Sequence, residues 1–200
     1  MTTIGIIGSG AIGAAIARIL ARANIPAVIA NSRGPQSLKA LTDELGPAIT
    51  AVTPAEAAKA DVVFVAVNWS KLPAALGGLG PWDGRIVVDA NNAVELPLFK
   101  PAELGGRAST QVFADLVPGA RVVKAFNTLL AAVLAADPTS DGGRRVLFYA
   151  GDDASAKAEV AQLIDRLGFA GIDLGGLEAG SRLAQFPGGP LAALNLVKLP

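Results

Sequence analysis

The chain has 200 residues and no formal net charge, because 17 basic residues balance 17 acidic ones. Hydrophobic residues make up 52% of it and charged residues 17%, which excludes a disordered chain and favours one folded unit with a short appendage. The sequence contains neither cysteine nor histidine. It therefore offers no disulfide, no thiol nucleophile and none of the usual zinc ligands, and we predict no bound metal.

The charge and the apolar segments also bear on partners and location. The balanced charge, without a basic tail, predicts no nucleic-acid partner. The apolar run 62–67 is far shorter than the roughly 20 residues that span a bilayer, so we expect no membrane partner. The amino terminus lacks the basic segment that opens a signal peptide, and we expect a cytoplasmic location.

Short β-rich runs alternate with helical segments along the chain. Strands are predicted over 3–7, 27–30, 49–52, 62–67, 85–88, 121–125, 146–150 and 169–174. Helices are predicted over 11–22, over 35–45, after the capping box at 53–56, and from 153 to the glycine at 168. This alternation predicts an α/β fold with a doubly wound, mostly parallel sheet.

A glycine-rich segment, Gly8-Ser9-Gly10-Ala11-Ile12-Gly13, follows the first predicted strand and opens the first helix. In this context the G-x-G-x-x-G pattern predicts a phosphate-binding loop. Gly8 allows the tight turn, Gly10 lets the backbone approach a pyrophosphate, and Gly13 lets the helix pack close to the sheet. The alternative is a glycine-rich turn without a ligand. We expect an NAD(P)-binding Rossmann domain over residues 1–174 and a C-terminal appendage over residues 175–200.

The end of the second predicted strand selects the cofactor. NAD-binding domains usually carry an acidic residue there, which binds the ribose 2′-hydroxyl. This chain has Asn31-Ser32-Arg33 instead. Arg33 would attract a 2′-phosphate, and Asn31 and Ser32 would add hydrogen bonds, so the segment predicts NADP(H). The alternative is a solvated arginine in a loop.

Three later strand ends are expected at the same rim of the sheet, where doubly wound folds bind ligands. They carry small, amide or aromatic residues: Val67, Asn68, Trp69, Ala90, Asn91, Asn92, Lys124, Ala125 and Asn127. We expect all of them except Lys124 and Asn127 to contact the cofactor. Lys124 and Asn127 are candidate catalytic groups near the nicotinamide, although no catalytic residue is assigned outright. The alternatives are that Trp69 anchors a helix, that Asn91 and Asn92 are turn residues, and that Lys124 forms a buried ion pair.

The glycine loop, Asn31-Ser32-Arg33-Gly34-Pro35, residues 122–128 and Gly151-Asp152-Asp153 together resemble the NADPH-dependent coenzyme F420 reductase family. They also resemble the cytosolic reductase domain of the six-transmembrane metalloreductases. The resemblance covers about three quarters of the chain and is weakest after residue 175. It implies hydride transfer between NADP(H) and F420, or from NADPH to a flavin. It also implies that the glycine loop, residues 31–33, Val67 and Asn68 bind NADP.

We therefore expect an NADP-dependent oxidoreductase, a homodimer, that passes hydride to a planar small-molecule acceptor, F420 or FMN/FAD. The acceptor ring is expected between residues 124–127 and 188–190, so the appendage packs on the acceptor site or at a dimer interface. One alternative is an NADP-dependent dehydrogenase of a small carbonyl or imine, with Lys124, Asp115 or Tyr149 as proton donor. Another is a sensor that binds NADP(H) without turnover.

Overall fold

One large sheet with helices on both faces organises the computed structural model, which describes residues 2–200. The strands are β1 (Ile4–Ile7), β2 (Ala27–Ala30), β3 (Ile49–Ala51), β4 (Val62–Val65), β5 (Ile86–Asp89), β6 (Val94–Glu95), β7 (Lys100–Pro101), β8 (Arg121–Ala125), β9 (Thr139–Ser140), β10 (Gly143–Gly151), β11 (Ala170–Asp173) and β12 (Val197–Lys198). The helices are α1 (Ala11–Arg22), α2 (Lys39–Leu45), α3 (Pro54–Ala57), α4 (Leu72–Leu76), α5 (Ser109–Ala114), α6 (Ala131–Ala135), α7 (Ala154–Arg166) and α8 (Leu177–Ala184).

The order of the strands in the sheet is β11-β10-β8-β5-β4-β1-β2-β3. Within this order, the six neighbouring strands β8, β5, β4, β1, β2 and β3 are all parallel to one another, whereas β10 runs antiparallel to β8. The chain turns from one half of the sheet to the other between β1 and β4, and such switch points form ligand crevices at the carboxyl ends of the strands. The predicted doubly wound, mostly parallel α/β fold is confirmed.

The central strands are buried on both faces, as their uninterrupted apolar sequences predict. In β4, Val62 and Phe64 pack into the core beneath α1 and α7, and Val63 and Val65 into the core on the opposite face. Phe64 meets Phe126 edge to face, with ring centroids 5.2 Å apart.

Among residues 2–200, none of the helices combines the length and the apolar character that a bilayer crossing needs.

Local sequence signals predicted several helix boundaries correctly. Helix α1 spans 11–22 as predicted, Thr53 and Glu56 form the predicted capping box, and Asp153 caps α7 by accepting a hydrogen bond from the Ala156 amide. Other predictions were wrong. The strand predicted over 62–67 ends at Val65, and the one predicted over 146–150 extends over Gly143–Gly151. That strand is longer because its first residues pair with β9 and β12.

The sequence reading missed several short elements. Helices α4, α5 and α6 and the hairpin of β6 and β7 connect the main strands. Residues 175–200, for which no regular structure was predicted, contain α8 and β12. Helix α8 packs on α5 and β10, and β12 pairs with β10.

Two glycines of the first loop allow backbone to approach backbone. Gly8 has φ +109°, and a Cβ atom there would overlap the carbonyl oxygen of Ala66. A Cβ atom on Gly13 would overlap the carbonyl oxygen of Gly8. Gly10 differs, because no protein atom lies within 4 Å of the position that its Cβ would occupy. The first and third glycines are therefore required by the fold, and the second leaves open space.

We predict that Gly13→Ala lowers the free energy of unfolding by about 1–3 kcal/mol, because the added methyl group meets a backbone atom that cannot move aside. Gly10→Ala is the matched control, and we expect it to change stability by less than about 1 kcal/mol. Urea denaturation of both variants measures the difference. Equal stabilities would show that helix α1 does not pack against Gly8 as closely as the structure has it.

Candidate functional site

A cleft of about 680 Å³ lies at the carboxyl ends of β1, β2 and β4, at the switch point of the sheet. Its walls come from the loops that follow these strands, from the start of α3 and from α4. The lining residues are Ile7, Gly8, Ser9, Gly10, Asn31, Ser32, Arg33, Pro54, Ala66, Val67, Asn68, Lys71, Ala74, Ala75, Gly77 and Leu79. Two of them are basic and none is acidic. The cleft therefore suits an anionic ligand with an apolar part.

The floor of the cleft is the glycine loop and the amino terminus of α1. Gly10 is the N-cap residue of this 12-residue helix, and the first turn carries no acidic side chain. The first amides of a helix lack intrahelical partners and carry positive potential, so they attract phosphate. The open space above Gly10 is where the backbone can approach such a group. These features fit the pyrophosphate of a dinucleotide.

Asn31 connects the glycine loop to the loop after β2. Its amide nitrogen donates to the hydroxyls of Ser9 and Ser37, both at 3.0 Å, and its Oδ1 accepts from the Arg33 amide at 2.9 Å. The Asn31 side chain is thus committed to holding the two loops together. The Arg33 side chain is exposed, and within residues 2–200 its guanidinium has no ion-pair partner. It is free to bind a ligand in the cleft.

Asn91 fixes the wall that follows β4. Its Oδ1 accepts a hydrogen bond from the Val67 amide at 2.7 Å, and its Nδ2 donates to Asp89 Oδ1 at 2.7 Å. The Asn91 side chain is buried beneath the cleft wall, and both its oxygen and its nitrogen form hydrogen bonds with the protein. Asn91 therefore shapes the cleft through the backbone of Val67.

A buried ion pair joins the carboxyl ends of β5 and β8. Lys124 Nζ lies 3.1 Å from Asp89 Oδ2, and the two side chains are 1% and 0% exposed. Lys124 Nζ also donates to the Asn91 carbonyl oxygen, and Asp89 Oδ2 accepts from the Thr110 hydroxyl at 2.8 Å. Burial lowers the pKa of Lys124 from its ordinary value, and the charge of Asp89 opposes that shift. Lys124 was considered as a candidate catalytic group or as part of a buried ion pair, and the structure shows the ion pair.

Asn92 and Asn127 fasten the C-terminal segment to the same rim. Asn127 Nδ2 donates to Asn92 Oδ1 at 2.9 Å and to the Ala184 carbonyl oxygen at 2.8 Å. The Phe186 amide also donates to Asn92 Oδ1, at 3.3 Å. Asn127 is buried, and its Oδ1 is left without a partner among the described residues. The end of α8 is thereby held against the ends of β5 and β8.

The structure brings about half of the predicted cofactor-binding residues into one cleft. Those that line it are Gly8, Ser9, Gly10, Asn31, Ser32, Arg33, Val67 and Asn68. The others lie behind the walls or farther along the rim: Ala11, Ile12, Gly13, Trp69, Ala90, Asn91, Asn92 and Ala125. Trp69 is half-buried and packs against the apolar core, as its alternative interpretation had it. Contact of any of these residues with a cofactor stays a prediction.

Sequence reasoning missed Asp89, Lys71 and the apolar wall of α4. Asp89 is the last residue of the apolar strand β5, and Lys124 is the next-to-last residue of the apolar strand β8. A charged residue at the end of each apolar strand is the signal that could have suggested an ion pair. Lys71 follows Trp69-Ser70 in a loop, where a lysine is usually only solvated. Among residues 2–200, no three side chains that could bind a metal ion come together.

The fold and the cleft define a Rossmann-fold dinucleotide-binding protein, and comparison with known proteins agrees. Residues 3–93 match the model of the family described as NADP oxidoreductase, coenzyme F420-dependent. Metalloreductase STEAP3 of Rattus norvegicus is 32% identical over 189 residues, which are 92% of this chain and 36% of that protein. The chain thus spans about a third of the length of the metalloreductases that it matches.

Two solved structures extend the comparison over nearly the whole chain. A hypothetical protein of Sinorhizobium meliloti, SMa0349, superposes with a TM-score of 0.95 at 54% identity, covering 99% of this chain and 96% of that one. A protein of Arthrobacter sp. fb24, with a proposed role as an F420-dependent NADP reductase, has a TM-score of 0.74 at 29% identity and covers 88% and 86%. The chain is therefore similar to the coenzyme F420-dependent NADP oxidoreductases over residues 3–93, a little under half of its length. The predicted resemblance to this family and to the metalloreductases is confirmed.

We predict that Asp89→Asn lowers the free energy of unfolding at neutral pH by about 3–5 kcal/mol, because it leaves the Lys124 ammonium buried without a counter-charge. Since the folded pKa of Lys124 then lies still further below its unfolded value, the unfolded state binds more protons between the two values. Stability should therefore recover as the pH rises through that alkaline window.

The control for this prediction is Asp165→Asn, which removes an exposed ion pair with Arg144 at 2.6 Å. We expect it to cost less than about 1 kcal/mol and to show no alkaline recovery. Urea denaturation over a range of pH measures both variants. Similar losses at the two sites would contradict the buried ion pair.

Proposed function

We propose that the chain binds NADP(H) in the cleft at the glycine loop and transfers hydride between the nicotinamide and a planar acceptor, coenzyme F420 or a flavin. The observation that carries the proposal is the lining of the cleft, which ends at Arg33 and contains no carboxylate. A carboxylate at the end of β2 would bind the 2′-hydroxyl of NAD and repel a 2′-phosphate. Arg33 offers a fork of donors to that phosphate instead.

The proposed binding mode follows from the walls of the cleft. The pyrophosphate would lie above Gly10, and the 2′-phosphate would lie at Ser32 and Arg33. The adenine would rest on the small side chains of Ala74 and Ala75. The nicotinamide would then extend away from β2, along the rim toward the ends of β5 and β8.

The three proton donors considered from the sequence, Lys124, Asp115 and Tyr149, are each unsuited to that role, which favours an acceptor that needs no proton from the protein. Lys124 is buried in its ion pair. The Arg107 side chain, by hydrogen bonding, lowers the pKa of Asp115, so this carboxyl group is ionised at neutral pH and has no proton to donate. Burial raises the pKa of Tyr149, which makes its hydroxyl a weaker acid. Reduced nicotinamide, when bound, supplies the hydride, and the protein contributes proximity and exclusion of water. These observations disfavour a carbonyl or imine dehydrogenase.

The C-terminal segment is the proposed cover of the acceptor. Its hydrogen bonds to Asn92 and Asn127 hold Phe186 at the end of the rim where the nicotinamide would lie. The exposed Phe186 and the glycine-rich turn at 188–189 offer a flat, partly apolar surface to a ring. The division of the chain at residue 174, the homodimer and the cytoplasmic location stay predictions.

Turnover measurements test this function. Purified protein is mixed with NADPH and, separately, with F420, FMN, FAD or a cyclic imine, and NADPH oxidation is followed by its absorbance. We expect oxidation with F420 or a flavin and none with the imine. Oxidation with the imine alone would favour the dehydrogenase alternative. Tight NADPH binding without oxidation by any acceptor would favour the sensor.

We predict that Gly10→Val abolishes NADPH binding and leaves the protein folded. No protein atom lies within 4 Å of the position of the added Cβ, so we expect folding to be undisturbed, and the side chain would occupy the position of the pyrophosphate. Calorimetric titration with NADPH and a thermal melt measure the two properties. Normal binding by the folded variant would show that the loop is not the phosphate site.

We predict that Arg33→Ala weakens NADPH binding by about 1–3 kcal/mol and leaves NADH binding nearly unchanged, because only NADPH carries the 2′-phosphate. Arg166→Ala removes another exposed arginine, from the opposite edge of the sheet, and should change neither affinity. Titration calorimetry with both nucleotides measures the effect. Equal losses for NADPH and NADH would refute the assignment of Arg33.

A further inference from the structure

Lys71 supplies the second positive charge of the cleft. It lies in the turn Trp69–Lys71 that precedes α4, so it reaches the cleft from the loop after β4, whereas Arg33 reaches it from the loop after β2. Strands β2 and β4 pair with β1 on opposite sides. The two cations therefore project from opposite walls of one cleft.

The Lys71 ammonium has no partner in the protein. Within residues 2–200 it forms no ion pair and no side-chain hydrogen bond, although its own amide bonds to the Asn68 carbonyl. Other lysines differ, since Lys39 pairs with Asp43 at 2.8 Å and Lys157 with Asp173 at 2.9 Å. A cation that lines a cleft without acidic residues, in a chain whose charges balance overall, is electrostatically complementary to an anionic ligand.

The position of Lys71 on its helical turn indicates which part of a ligand it faces. Lys71, Ala74 and Ala75 are spaced i, i+3 and i+4, so they share one face, and all three line the cleft. The two alanines form a shallow apolar wall suited to a flat base. The ammonium thus lies beside the part of the cleft in which the proposed binding mode puts the adenosine.

The spacing of the two strands is compatible with contact of both side chains with one phosphate group. Strands β2 and β4 are separated by two sheet spacings, about 9–10 Å. An arginine and a lysine side chain each extend roughly 6–7 Å from their Cα atoms, by the bond lengths of the chain. Side chains from the two walls can therefore meet at a group held between them.

We infer that Lys71 binds the 2′-phosphate of NADP(H) together with Arg33 and is a second determinant of the preference for NADP(H) over NAD(H). The inference rests on the proposed function, because it concerns the same cleft. It adds a residue from the other wall, so that the phosphate is held between two cations. Neutralisation by two cations matches a group that carries nearly two negative charges at neutral pH.

The experiment compares Lys71→Ala, Lys71→Arg and Arg33→Ala by calorimetric titration with NADPH and with NADH. Lys59→Ala is the matched control, since Lys59 is exposed and lines a different cavity at the amino edge of the sheet. We expect Lys71→Ala to weaken NADPH binding about 5- to 30-fold and NADH binding less than about twofold. Lys71→Arg should restore most of the NADPH affinity, and Lys59→Ala should change neither.

The outcomes separate this inference from the proposed function. If Arg33→Ala discriminates between the nucleotides and Lys71→Ala changes neither affinity, the inference is wrong and the proposed function stands. Equal weakening of NADPH and NADH by Lys71→Ala also overturns the inference, because it would place the ammonium at the pyrophosphate. If the wild-type chain binds both nucleotides equally and Arg33→Ala does not discriminate, the proposed function fails as well.

Discussion

The buried ion pair between Asp89 and Lys124 links the parts of the molecule that form the site. Asp89 accepts hydrogen bonds from Asn91, whose side chain holds the Val67 amide in the wall of the cleft. It also accepts from Thr110, which bonds to Ser181 of α8. Removing two charges from water is costly, and the hydrogen bonds that the two groups form with each other and with their neighbours reduce that cost. Through Asp89, the cleft wall and the C-terminal helix share one polar network.

The cleft itself is fixed in advance of any ligand. Asn31 ties Ser9 of the phosphate loop to the loop that carries Arg33, and the Val67 wall is held from below by Asn91. Such a cleft loses little conformational entropy on binding, because its backbone donors are already in place. The chain as a whole has no net charge. The positive charge of the cleft therefore arises from the placement of Arg33 and Lys71 and from the amino terminus of α1.

The elements that sequence reasoning predicted well are those with strong local signals. Helix α1 combines a glycine loop with apolar residues at helical spacing, and β4 is an uninterrupted apolar run. Helices α4, α5 and α6 have only five or six residues, too few for periodicity to be recognised. Helix α8 was not predicted, because its composition is unusual for a helix. It contains Gly180, which packs closely on Ala150 and Leu174 and which local preference disfavours in a helix.

The site was predicted in outline and missed in its supporting interactions. Asn91 and Asn92 were expected to contact the cofactor, and Asn127 was a candidate catalytic group near the nicotinamide. The hydrogen bonds that these side chains form within the protein were not predicted. Asp89 was missed because its partner lies on β8, which is 35 residues farther along the chain. Register between strands that are not consecutive is a tertiary property, which no local pattern reveals.

The central claim is that this cleft recognises the 2′-phosphate of NADP(H). It is tested most directly with adenosine 2′,5′-bisphosphate and adenosine 5′-monophosphate, which differ only in that group. Calorimetric titration of the wild-type chain gives the two affinities, and amide NMR shifts locate the bound ligand. We expect the bisphosphate to bind at least about tenfold more tightly and to shift the amides of Ser9, Gly10 and Arg33. Equal affinities, or shifts confined to other parts of the chain, would contradict it.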